Sequence, residues 1–131
     1  MGRSTIQLLN AAERGFLEEV KDLLDKGANV NAGDSIFRQT ALMQAARNGR
    51  LKVVELLLDR GADINAKDQQ STTALMYAAS DGRLEVVELL LERGADASIS
   101  SGWNGWTALE HASGKDRQAI LDLLKAHEAK E

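Results

Sequence analysis

Apolar residues along this chain recur in short bursts, each closed by a glycine. Leu42, Ala45 and Ala46 fall on one helical stripe, and their small side chains let a neighbour approach closely. Gly49 ends that run, because glycine accepts the positive φ that closes a helix. The stretch "RLKVVELLLDR" then sets Leu51, Val54, Leu57 and Leu58 at helical spacing and predicts a second helix. Gly61 caps it, and Arg60 suits the negative end of the helix dipole. The following "ADINAKDQQST" is polar, extended and too short for a helix, so it reads as a hairpin-like connection. Gly15 and Gly27 punctuate the chain in the same way, as do Gly82 and Gly94. A pair of short helices cannot bury its own apolar face, but stacked pairs bury a continuous core.

The pairs repeat in sequence as well as in pattern. "TALMQAARNGRLKVVELLLDRGADINA" begins at Thr40, "TALMYAASDGRLEVVELLLERGADASI" at Thr73 and "TALEHASGKDRQAILDLLKAHEAKE" at Thr107, at spacings of 33 and 34 residues. "IQLLNAAERGFLEEVKDLLDKGANVNA" from Ile6 fits one period earlier. Thr40, Leu42 and Ala45, Thr73, Leu75 and Ala78, and Thr107, Leu109 and Ala112 resemble the Thr-Pro-Leu-His-x-Ala core of the ankyrin repeat family. Alanine (Ala41, Ala74, Ala108) replaces the motif's proline, and Met43, Met76 and Glu110 replace its histidine. Less polar bonding between turns is therefore expected, with methionine packing in its place. The resemblance implies an all-α solenoid of four stacked helix pairs with hairpin-like loops. The expected organisation is a single domain over 1–131, with units at about 6–39, 40–72, 73–106 and 107–131. Ile6 in the first unit and Asp116 in the last depart from the pattern, as capping units do. Glu18, Glu19, Lys21 and Asp22 would make one end polar, and Lys115, Asp116, Gln118 and Asp122 the other.

Composition removes several function classes. Sixteen basic against 20 acidic side chains give a net charge of −4, with no basic stripe for nucleic acid. Neither cysteine nor proline occurs, so there is no thiolate metal site or cysteine nucleophile. Absence of cysteine suits a cytoplasmic location and suits engineering equally. No apolar run approaches a membrane span, and "MGRSTIQLL" lacks a signal-peptide core. Gly2 would suit myristoylation, but Ile6 stands where serine or threonine is wanted. His111 and His127 are 16 residues apart without a Glu-x-x-His partner, so no metal site is expected. "SGKD" at Ser113 resembles a phosphate loop only superficially, since Leu109 and Asp116 occupy two of its required positions. No cofactor is implied.

The remaining signals are interaction surfaces. Arg50, Arg83 and Arg117 fall at equivalent positions and predict a ladder, paired with carboxylates such as Glu85 or facing an acidic partner. Asn10, Gln44, Tyr77 and His111 share a column on the first helices, which in the family line a concave side. The connections "NVNAGDSIFRQ", "DINAKDQQST" and "DASISSGWNGW" differ where the scaffold agrees. Two of them expose apolar residues: Ile36 and Phe37 in one, Trp103 and Trp106 in the other. Asn104-Gly105 is a tight-turn signal that sets Trp103 at a tip and Trp106 on its flank. The alternative is that Trp103 folds back onto Phe37 or the capping unit.

The resemblance implies a non-catalytic module, monomeric when free, that binds a protein partner through tips and concave face. The candidate contact residues are Ile36, Phe37, Arg38, Gln39, Gln44, Arg47, Gln69, Gln70, Thr72, Tyr77, Ser80, Asp81, Trp103, Asn104, Trp106 and His111. Alternatives are an engineered binder on this scaffold, a pure structural spacer, and an enzyme or small-molecule site in the groove.

Overall fold

A computed structural model describes residues 2–102 and 104–130, and among them it contains eight helices and no strand longer than a single bridge. They are α1 (Arg3–Arg14), α2 (Leu17–Asp25), α3 (Ala41–Arg47), α4 (Leu51–Asp59), α5 (Ala74–Ser80), α6 (Leu84–Glu92), α7 (Ala108–His111) and α8 (Arg117–Ala129). The helices α1, α3, α5 and α7 stack in sequence order, and so do α2, α4, α6 and α8, with each pair packed within itself. This is the all-α solenoid that the repeat predicts.

The threonines that open each motif act as N-caps. Thr40 Oγ1 accepts the Met43 amide at 3.3 Å, and Thr73 Oγ1 accepts the Met76 amide at 3.4 Å. Thr107 forms a capping box with Glu110, whose carboxylate accepts the Thr107 amide at 2.9 Å. Behind these caps, α3 buries Ala41, Leu42, Met43, Ala45 and Ala46 rather than the single stripe expected. The reason is its place: α1 and α5 flank it and α4 backs it. Met43 and Met76 are fully buried, as the methionine substitution predicts. The second helices bury only an inward face, Val53, Val54 and Leu57 in α4 and Val86, Val87 and Leu90 in α6.

The arginine ladder is corrected. Arg50 and Arg83 pair with backbone, not with Glu85 or another carboxylate. Arg50 Nε donates to the Glu13 carbonyl at 3.0 Å, and Arg83 Nε to the Arg47 carbonyl at 3.0 Å. Each arginine therefore satisfies a carbonyl that the preceding first helix leaves open at its C-terminus. Its side chain lies over a glycine of that helix end: a Cβ on Gly15 would sit 2.8 Å from Arg50 Cδ, and one on Gly49 3.0 Å from Arg83 Cδ. The last joint is built otherwise, because α7 stops after four residues. There the Ser113 amide donates to the Ala79 carbonyl at 3.1 Å and its hydroxyl donates to the Ser80 carbonyl. Ion pairs Arg60–Asp25 at 2.7 Å and Arg93–Asp59 at 2.6 Å link successive second helices. Asn31 and Asn65 side chains accept the Asp63 and Asp96 amides at 2.7 and 2.8 Å, tying successive loops.

Candidate functional site

Three connections project beside the first helices, and a carboxylate or hydroxyl organises each. Asp34 accepts the amides of Ile36, Phe37 and Gln39 at 3.0, 2.6 and 3.1 Å. Asp68, one repeat on, accepts those of Gln70 and Thr72 at 2.9 Å each. Ser101 stands in the third: its Oγ bonds Asn104 Oδ1 at 2.5 Å, and that oxygen also accepts the Trp106 amide at 3.0 Å. Desolvation works to raise the Asp34 pKa, but the amides of Phe37, Gln39, Ile36 and Arg38 outweigh it and hold the carboxyl below its ordinary value. These anchors escaped the sequence reading, although "NAGD" and "NAKD" repeat them.

Neighbouring connections are stitched by backbone bonds, Gln69 N–H to the Phe37 carbonyl and Gly102 N–H to the Gln70 carbonyl, both at 2.8 Å. The turn needs a left-handed residue. Gly105 supplies it at φ 70°, but Arg38 and Ser71 occupy the same place at φ 60° and 61°.

Of the column on the first helices, Gln44 and Tyr77 join one chain of hydrogen bonds. Gln44 Nε2 donates to Gln39 Oε1 at 2.8 Å, and Gln39 Nε2 donates to Tyr77 Oη at 2.9 Å. The Tyr77 hydroxyl then donates to Asp68 Oδ2. Arg47 places its guanidinium carbon 4.8 Å from the centre of the Tyr77 ring, a cation–π contact. Burial, then the bond to Asp68 and its charge, push the Tyr77 phenol up to about 12, against the opposing pull of Arg47 and Gln39.

Further along, Trp106 meets His111 edge to face at 5.4 Å between ring centroids, and His111 Nε2 lies 3.3 Å from Ser101 Oγ. Burial lowers the His111 pKa.

Exposure sorts the candidates. Ile36 is 69% exposed, Phe37 55% and Trp106 46%. Arg38, Gln69, Gln70, Ser80 and Asp81 are exposed, while Gln39, Gln44, Arg47, Tyr77, Asn104 and His111 are half-buried. Thr72 is a correction: it is only 8% exposed, drawn inward where its amide bonds Asp68. Trp103 lies outside the described residues.

A separate cleft of about 380 Å³, lined by Ala97, Ser98, Thr107, Leu109, Glu110, Leu124 and Glu128, shares no residue with this network. Among the described residues no cluster of three or more histidine, aspartate or glutamate side chains could hold a metal ion. Nor is any helix there long and apolar enough to cross a membrane.

This assembly of capped helix pairs, stitched loops and a polar chain across the first helices is that of a repeat-built scaffold. A family model described as ankyrin repeats (3 copies) matches residues 5–68, and another described as ankyrin repeats (many copies) matches residues 62–112. The chain belongs to the ankyrin repeat proteins, which generally serve as protein–protein interaction modules without catalytic activity. No curated protein matches it as a relative.

Proposed function

We propose that this chain is a non-catalytic module, monomeric when free and cytoplasmic, that binds a folded protein partner through its loop tips and concave first-helix face. The observation that carries this reading is the exposure of Ile36, Phe37 and Trp106 on loops whose backbones are internally bonded. Large apolar side chains on a rigid mount lose little entropy on binding, and aromatics recur among interface hot spots. The polar chain beside them supports the reading too, since its members are already oriented.

Affinity capture with mass spectrometry would identify the partner, and the variant carrying Ile36→Ala, Phe37→Ala and Trp106→Ala would then be compared with wild type. The expected result is a melting temperature within a few degrees of wild type and binding weakened by about 2 kcal/mol or more for each hot-spot residue. Unchanged binding would remove these loop tips from the contact, and failure to capture any partner would favour a spacer.

A further inference from the structure

The charges of the concave site are unequally used. Asp34 and Asp68, the acids of the first two loops, spend their oxygens on backbone amides and on the Tyr77 hydroxyl. Arg47 does not spend its donors. Its guanidinium lies against the face of the Tyr77 ring, and among the described residues no carboxylate lies within ion-pair distance. A contact through the ring uses the guanidinium's charge and leaves its N–H groups without an acceptor. The guanidinium is nonetheless held in place, because Gln39 and Asp68 fix the ring beneath it.

Arg38 adjoins Gln39, the middle link of the same chain, and it too has no ion-pair partner among the described residues. It stands at φ 60°, where the third loop carries glycine. Asp81 caps α5 one turn beyond Tyr77, its amide bonding the Tyr77 carbonyl, and among the described residues it closes no ion pair. Exposed apolar side chains stand on neighbouring loops, Ile36 and Phe37 on the one before α3 and Trp106 on the one before α7.

We infer that Arg47, held on Tyr77, is a seat for a carboxylate of the partner, with Arg38 at its rim. The occupant is an extended protein segment in which an aspartate or glutamate is flanked by apolar side chains that reach Phe37 and Trp106. This deepens the function proposed above and rests on it. The chemistry is charge complementarity: a guanidinium without a carboxylate presents a planar donor edge that matches one. Ring contact pre-pays part of the ordering that a free arginine would undergo on binding.

The test uses the whole chain as bait for a phage-displayed library of random dodecapeptides. Enriched peptides should contain an acidic residue beside aromatic or aliphatic ones. One such peptide, made synthetically, is compared by fluorescence anisotropy with a version whose acid is changed to the amide. Wild type should bind the acid form at least tenfold more tightly. Arg47→Met should erase that preference, Arg47→Lys should restore part of it, and Asp81→Asn should tighten the acid form. Thermal melting of each variant separates lost binding from lost folding.

Enrichment of peptides without acids, equal binding of acid and amide forms, or an unchanged preference in Arg47→Met would overturn the inference. So would the absence of any enriched peptide. Sensitivity of acid-free peptides to Phe37→Ala or Trp106→Ala would leave the general reading standing while this one falls. Selected peptides indifferent to Phe37, Trp106 and Arg47 alike would sink both.

Discussion

Tyr77 is the single tyrosine of the chain, so its ionisation can be followed directly by the ultraviolet absorbance of the phenolate. The midpoint should fall near 12 rather than at the ordinary 10. The sign for stability follows from the raised value. The folded state holds its proton more tightly than the unfolded chain, so the contribution is fully present below pH 10 and is lost as pH rises through the folded value. A midpoint near 10 in the folded protein would mean that the phenol is neither buried nor bonded to Asp68 as described. Tyr77→Phe removes the hydroxyl from buried Asp68 and should cost about 1–3 kcal/mol in urea denaturation. The two strained turns act in the opposite direction. Arg38→Gly and Ser71→Gly relieve a left-handed backbone and should each stabilise by about 1 kcal/mol, less the entropy glycine adds to the unfolded chain. A clear fall in the urea midpoint for both would show that the strain relieved is smaller than the entropy glycine adds.

The helices were legible at the scale of elements because burial in them follows period. Leu57 and Leu90 sit where the pattern sets them, fully buried on α4 and α6. Truncating either to alanine should cost roughly 2–5 kcal/mol through lost burial and the cavity left behind. In Leu57→Ala, amide exchange should quicken in α3, α4 and their neighbours before α7 and α8, because each pair packs mainly on adjacent pairs. Equal acceleration throughout would count against that independence. Less visible was everything that ends on a main-chain atom. Arg50 was matched with carboxylates because carboxylates have letters, whereas the Glu13 carbonyl it bonds has none. The Asp34 and Asp68 clamps were hidden for the same reason, since their partners are amides. The column of Gln44, Tyr77 and His111 could be read by register alone. The bond that makes Gln39 its bridge to Tyr77 depended on how closely two loops approach. Early termination of α7 had no apolar signal, only the arrival of Ser113 and Gly114.

Across the whole molecule, stability resides in joints between pairs as much as in the pairs. Arg83→Ala should loosen the joint between α3 and α5 while leaving that between α1 and α3 intact. Exchange at the end of α3 reads this directly, and undiminished protection there would show that the arginine is dispensable. The joints also have a direction. A middle pair offers its arginine backward, onto the glycine of the pair before it, and its own glycine and open carbonyl forward. Such a unit is complementary to a copy of itself. Tandem duplication of the segment from Thr40 through Thr72 would add one more joint of a kind already present and disturb none. The recognition surface would grow by one loop and one helix face at a stroke. Insertion of a fraction that carries Arg50 without Gly49 would leave an arginine without its glycine. The interlock thus turns the chain's inheritance into whole-unit steps, in which reach changes by duplication and specificity by substitution on tips that the joints do not touch.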